Sequence, residues 1–573
     1  MSYKYKLTDT VCIMNFSEDY PRTPIELVTS DLFKALLKEY IKHSKKCERE
    51  IYNYLSKASM SDDKSLIKDL LTISRLLLIM NSDELVSIHK KYALYFQKNE
   101  MLFKLIESLY LYWRTHQRYC FISNSHDLTG LEDVSFIQAQ NEFRGLILQT
   151  YRQYESSLGY TNMVYRQVIS GVNAGLDLNT KHVSLPNDYS VLNSIPFIDQ
   201  ITLYPPFITH SKRNKRSGLY KEIDYNPIKG KTFNPDEWFC YPIMVGNLLT
   251  FVYFNIAYMS QGIALCNLFE PAKREKYFKK KPDLIYIFGY NDGQKNQVFY
   301  QDDKNKIILG YLSLSDDFDY FGYMKKMILT LHNIKKINEN RLPIHGAMVE
   351  IRLSGGKTKT IVIMGDSGAG KSETIEQIKI KGIGKISSVK TIYDDMGVLL
   401  RRKNGDIVSS GTEIGAFVRL NDLDAGFGYK ELDRAVFMNP DQINARLVIP
   451  ITQWKDVIAK YPVDYFFYAN NYDNADKEIH FFENSKEATK VFKKGQRMSK
   501  GTTNEMGITE SFFANPFGPV QRRDQADKII DEYFEDMFKQ NVKVGELYTK
   551  LGIKGCEHSG PKAAADAILE LIS

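Results

Sequence analysis

At 573 residues, with 43% hydrophobic and 25% charged side chains, the chain is too long for one compact core and too apolar for a disordered one. Two or three folded domains are expected. The net charge of +7 is a small difference between 76 basic and 69 acidic residues, which suits anionic substrates but is too slight and dispersed to indicate a nucleic-acid surface.

The six cysteines (Cys12, Cys47, Cys120, Cys240, Cys266 and Cys556) include no CxxC pair and no zinc-ligand spacing, as expected for scattered reduced thiols in a cytoplasmic protein. The N-terminal segment has no long apolar core of a signal peptide. From Trp238 to Phe269 no residue is charged, yet Pro242, Asn247, Asn255, Ser260, Gln261 and Asn267 interrupt the run. A bilayer core makes such side chains costly, so the expectation is a buried helix inside a soluble domain and no membrane span.

In chain order, residues 1–150 read as a helical N-terminal region. After a cap at Ser30 or Asp31, apolar residues recur every three to four positions at Leu32, Leu36, Leu37, Tyr40 and Ile41. The segments starting at Asp62 and Asp83 repeat the pattern. Their charged faces read as solvated; docking to a protein partner or to a second copy of the chain is compatible with them, and no residue selects either. Residues 151–340 are mixed, with frequent turn signals and β-rich runs such as DLIYIFGY and KIILGYLSL. The basic run Lys212-Arg213-Asn214-Lys215-Arg216 falls in a turn-rich stretch, either as a solvated loop or as an anion-binding loop over a site.

Residues 341–573 alternate strands with loops and helices. GAMVEIRL and TKTIVIMG form an expected hairpin about Gly355-Gly356, and the second strand runs into Gly365-Asp366-Ser367-Gly368-Ala369-Gly370-Lys371-Ser372, which matches GxxxxGK[ST]. A helix follows, and another with Pro561 near its start closes the chain. Glycines let successive N–H groups turn toward phosphate oxygens, and the following helix adds its positive end. Lys371 then reaches the terminal phosphates and the Ser372 hydroxyl binds Mg²⁺. Asp394 and Asp395, at the expected end of a short strand-like run, suit a divalent cation beside those phosphates; the plainer alternative is a polar turn before Met396-Gly397.

This P-loop followed by paired aspartates resembles HPr kinase/phosphorylase. The wider pattern is closer to the phosphoenolpyruvate carboxykinase superfamily: Tyr320-Phe321-Gly322-Tyr323-Met324-Lys325-Lys326, Leu342-Pro343-Ile344-His345, Asn444-Ala445-Arg446-Leu447-Val448-Ile449-Pro450 and Phe512-Phe513-Ala514-Asn515-Pro516-Phe517-Gly518 follow in that family's order. The resemblance covers roughly residues 310–520. It implies a two-lobed α/β carboxykinase-like fold, with a substrate lobe at 151–340 and a P-loop lobe at 341–573. By the same resemblance, Lys326, His345 and Asp395 match the protein ligands of an active-site Mn²⁺. Lys325, Lys371 and Arg446 match the cations that meet the phosphoryl charge, and Ser372 the hydroxyl on the donor's Mg²⁺. Tyr320 and Gly322 match the substrate pocket.

The reaction implied is interconversion of oxaloacetate with phosphoenolpyruvate and CO₂. A lysine ligand must be neutral, so Lys326 is expected to have a lowered pKa. The P-loop departs from that of ATP-dependent members, and the aromatic guanine sandwich of GTP-dependent ones is not found. Pyrophosphate or phosphate is therefore favoured over a nucleotide as partner, as in the pyrophosphate-dependent type, whose members are commonly much longer than this chain. The arginine for the oxaloacetate carboxylate is assigned first to Arg166, with Arg213 and Arg216 behind it. Two rivals remain: a kinase for a protein or small hydroxyl acceptor, with Asp394 as general base, and a non-catalytic phosphate-sensing regulator.

Overall fold

The computed structural model describes the chain except for residues 1–3, 18–19, 125–129, 161–170, 182, 383–385, 421–430 and 500–506. Arg166 lies outside the described residues, as do residues 421–430, which precede the Asn444–Pro450 motif. The protein is mixed α/β and divides into two compact units, Met1–Lys181 with Ile198–Tyr204, and His182–Phe197 with Pro205–Ser573.

The first unit joins helices to a set of paired strands. Ser30 caps the helix Asp31–Cys47 by accepting the Phe33 N–H at 3.1 Å, and the expected stripe buries Leu36, Leu37, Tyr40 and Ile41. Helices Arg49–Ser59, Asp63–Leu76 and Asn99–Thr115 close around the same core, where Leu55, Leu66 and Leu105 meet. The region also holds strands: Val11–Asn15 pairs antiparallel with Tyr5–Leu7 and parallel with Gln117–Asn124, which runs parallel to Ala174–Asn179.

In the second unit, Trp238–Phe269 departs from expectation. Instead of a buried helix it forms an antiparallel hairpin, Trp238–Val245 with Leu248–Asn255, followed by short helical turns from Ile256 to Asn267. A strand covered on both faces shows a continuous apolar run, which periodicity alone does not separate from a buried helix. The turn at Gly246-Asn247 and the β-branched and aromatic content decide it. Leu284–Tyr290 and Ile307–Ser313, both expected strands, extend this sheet in parallel beside Leu248–Asn255. The chain then enters the helix Phe321–Asn338, buried along most of its length.

The glycine-rich loop belongs to a second sheet, eight-stranded among the described residues. At its centre Leu342–Leu353 pairs antiparallel with Thr358–Met364, the expected hairpin, and on its other side with Ile386–Arg401. Alternation assigns the two faces. Ala347, Val349, Ile351, Ile361 and Ile363 pack against helices Lys371–Lys381 and Ser559–Ile572. Met348, Val362 and Met364 point the other way, to helices Ser485–Lys494 and Arg523–Lys539. A small third sheet sets Gly415–Arg419 and Val436–Met438 on either side of Arg446–Pro450. Among the described residues no helix is long and apolar enough to cross a membrane.

Candidate functional site

The strand Thr358–Met364 delivers the chain to Gly365, whose N–H donates to the His345 carbonyl at 2.9 Å. The loop ends at Gly370, whose φ of 93° is left-handed and costs little only for glycine. A side chain there would also collide with Thr549, whose Oγ1 donates to the Ala369 carbonyl at 2.7 Å. Asn471 Nδ2 holds the Gly368 carbonyl at 2.9 Å. Lys371 Nζ is folded onto the carbonyls of Gly365 and Asp366, at 2.7 and 3.0 Å. The Asp366 carboxylate accepts from the Ser367 N–H at 2.7 Å and from Arg497 Nε at 2.8 Å. Burial works to raise its pKa, but the charges of His345 and Arg497 and the Ser367 N–H hold it below the usual carboxylate value. The loop is thus shaped and pinned, with its acid neutralised.

Asp394 and Asp395 are not at a strand end. They lie inside the sixteen-residue strand Ile386–Arg401, opposite Ala347 and Gly346. A register shift between Met348 and Val349 marks a bulge just before them. Asp395 has φ of 114°, a conformation that costs a non-glycine residue about 1–3 kcal/mol and concentrates at functional positions. Strict alternation sends neighbouring side chains to opposite faces. Here the Ser372 hydroxyl donates to Asp394 at 3.1 Å, and Asp395 meets His345 and two lysines.

Asp395 is the hub of the second half. Its Oδ1 is 2.7 Å from His345 Nε2, and its Oδ2 is 2.8 Å from Lys326 Nζ and 2.6 Å from Lys325 Nζ. Lys325 also pairs with Glu413 Oε1 at 3.0 Å. The lysines come from the first turns of the helix that Tyr320 precedes, and His345 from the strand Leu342–Leu353. Burial pushes Lys326 below the usual lysine value, with Lys325 adding to the effect and Asp395 opposing it. Burial also acts to lower Lys325, but Asp395 and Glu413 together lift it above the usual value. Asp395, against its burial, is held well below the carboxylate range by Lys325, Lys326 and His345. Burial pushes Glu413 up to about 7 and lowers His345. Asp394 is raised, mainly by burial.

The donor set fits a divalent cation. His345 is fully buried, and Nδ1 faces the Ala514 carbonyl at 3.0 Å, so that nitrogen carries a proton. A neutral ring then turns its Nε2 lone pair on a carboxylate oxygen 2.7 Å away, a repulsion that either a second ring proton or a cation at that corner relieves. A backbone carbonyl orienting the far nitrogen is the usual support of a metal-bound histidine. Among the described residues no three His, Cys, Asp or Glu side chains form a metal group. The cluster here supplies one histidine and one aspartate, and its third donor is the amine of Lys326.

The remaining expected residues surround this core. The buried Tyr320 ring lies 5.9 Å from Phe417, and Gly322 leaves the space that ring occupies. The guanidinium of Arg446 stands 5.3 Å over Phe417, with Nε donating to Asn444. Arg216 lies 5.1 Å over Phe517, the ring that also carries Lys326 at 4.6 Å. Arg213, by contrast, is held in an exposed pair with Asp317 at 2.6 Å. The basic run is thus divided between a solvated face and the site. Sequence reasoning assigned no role to Glu413, Phe417, Arg497 or Thr549; Phe417 opens a stretch that resembles the pyrophosphate-dependent type, and nothing local marks the other three. Neither a known family model nor a curated protein matches the chain.

Proposed function

We propose that the protein is a carboxykinase-like enzyme of two-lobed fold. It interconverts oxaloacetate with phosphoenolpyruvate and CO₂ and exchanges the phosphoryl group with phosphate or pyrophosphate. The observation that carries this reading is the convergence of Lys326, His345 and Asp395, from three separate elements, beside a pinned P-loop. A hydroxyl kinase has no evident need for a lysine donor in that position.

In this reading Lys326 Nζ, His345 Nε2 and the Asp395 carboxylate hold Mn²⁺, and Ser372 with Asp394 serves the Mg²⁺ that accompanies the phosphates. The bound cation supplies a Lewis acid for enolate charge. Lys371 leaves the loop carbonyls for the terminal phosphate, and Lys325 and Arg446 meet the charge that grows on the transferring group. Tyr320 and Phe417 wall the pocket with apolar surface, which keeps water from the enolate. Arg216 replaces Arg213 as the first described candidate for the substrate carboxylate.

The test incubates the protein with phosphoenolpyruvate, bicarbonate, Mn²⁺ and, in parallel, phosphate, ADP or GDP, following oxaloacetate by coupled reduction. Product with phosphate alone, lost in Lys326→Ala, is expected. Product only with ADP or GDP makes the enzyme nucleotide-dependent. One observation favours a second reading: the Asp394 carboxyl, raised by burial, has the character of a general base for a hydroxyl acceptor. Metal-dependent donor binding without oxaloacetate under any condition would favour that kinase.

A further inference from the structure

Asp395 Oδ2 is shared by two lysines, yet a cation held by Lys326, His345 and Asp395 needs the same carboxylate. A cation held there would take Lys326 as a ligand and would leave Lys325 with much less of its counter-charge from Asp395. Lys325 is 1% exposed, so water does not compensate it. A buried ammonium stripped of its partner is strongly unfavourable.

Glu413, also 1% exposed, is the second carboxylate within reach of Lys325, at 3.0 Å. Among the described residues its Oε1 accepts no hydrogen bond beyond this ion pair, and its Oε2 has the Thr412 hydroxyl at 3.4 Å. Its backbone position is fixed on both sides. The Thr412 hydroxyl donates to the Met396 carbonyl, the Thr412 carbonyl accepts the Gly246 N–H at 2.8 Å, and the Ile414 N–H donates to Leu268 at 2.9 Å. The backbone that carries Glu413 is therefore held on both sides, and Lys325 bridges two carboxylates.

We propose that Glu413 is a positioning residue that retains Lys325 when a divalent cation claims Asp395, and that it thereby sets the cation affinity of the site. The proposal rests on the metal reading above and adds to it a residue that touches neither cation nor substrate. Its geometric ground is that Lys325 Nζ lies between two carboxylates, 2.6 Å from Asp395 and 3.0 Å from Glu413, whereas among the described residues Lys326 Nζ faces Asp395 alone.

The experiment is titration of the metal-free full chain with Mn²⁺, reading free Mn²⁺ by electron paramagnetic resonance, with thermal melting in EDTA to establish folding. Glu413→Gln is expected to raise the Kd about 10- to 100-fold, the usual penalty for losing a supporting partner. Adding Lys325→Met should bring E413Q back to within about threefold of wild type, because the charge that needed an anchor is gone. A purely structural role predicts no such rescue. Wild-type affinity in E413Q, or a double variant as weak as E413Q, overturns the proposal while leaving the metal reading standing. Wild type that binds no Mn²⁺ sinks both. If E413Q does not fold, Glu413→Asp keeps the charge on a shorter arm; several-fold weaker binding is expected, and unchanged binding overturns the proposal.

Discussion

Asp394 and Asp395 are neighbours on one strand, but they serve two halves of the site made of different materials. The half at Asp394 is mostly backbone: a glycine-rich loop held by Asn471, Thr549 and the Asp366–Arg497 pair, with Lys371 laid over it. The half at Asp395 is mostly buried charge, with Lys325, Lys326, His345 and Glu413 each partly solvated by the others. A backbone cradle loses its pins one at a time, at about 0.5–1.5 kcal/mol for each ordinary hydrogen bond. A buried charge cluster is far less divisible, because removing one member strands its partners.

The largest expected effect follows from that indivisibility. Asp395→Asn removes the carboxylate that faces two lysines and a histidine, and breaking a buried ion pair from one side costs about 3–5 kcal/mol. Urea unfolding should show a loss of that size, with Mn²⁺ binding abolished. Pyrophosphate binding at the loop should persist if the halves are independent materials; its loss as well would break the distinction.

Gly346 is the place where the two halves are mechanically joined. It pairs with Asp395 on one side and Met364 on the other, and a Cβ there would sit 2.7 Å from the Ile363 carbonyl. Gly346→Ala forces the central strands apart at about 1–3 kcal/mol, a typical cost of overpacking. Since the Gly365 N–H hangs on the His345 carbonyl, Mn²⁺ and pyrophosphate affinities should fall together. A variant that loses only one of them would show that the halves are uncoupled.

Proton linkage separates the halves without mutation. Burial lowers Lys326, but below its folded pKa the amine still carries a proton that a coordinated cation must displace. Mn²⁺ affinity should therefore rise about tenfold per pH unit, or about 1.4 kcal/mol, until that pKa is passed. Calorimetry in buffers of different ionisation enthalpy should count one proton released per cation. A pH-independent affinity would mean that Lys326 is not a ligand.

The difference in material also explains what the sequence made legible. A phosphate loop imposes its backbone conformation on contiguous residues, so glycine spacing, the preceding strand and the following helix all showed locally. The charge cluster imposes nothing local. Lys326, His345 and Asp395 lie far apart in the chain and were grouped only by resemblance to a family, and Glu413 left no mark because one glutamate after a strand is unremarkable. Two local readings went astray for the same reason, that tertiary context overrode propensity. Adjacent aspartates are poor strand formers and read as the end of a strand, yet Ile386–Arg401 runs on through them with Asp395 in an unusual conformation. Trp238–Phe269 was apolar all along, which hid a hairpin behind the look of a buried helix.

The smallest expected effect lies in the cradle. Thr549→Val keeps the shape beside Gly370 and removes only the hydroxyl that donates to the Ala369 carbonyl. That carbonyl is buried in the loop, so the cost is that of one hydrogen bond with one partner left unmet, about 1 kcal/mol. Because the loop is the surface that receives phosphate, part of this cost should appear as binding, with pyrophosphate affinity falling a few-fold. Mn²⁺ affinity should not move, since Thr549 makes no contact with the Lys325–Glu413–Asp395 cluster among the described residues. Set beside E413Q, which should move Mn²⁺ and spare pyrophosphate, this gives a crossed pair of outcomes. A general loosening of the fold would instead shift both ligands in both variants.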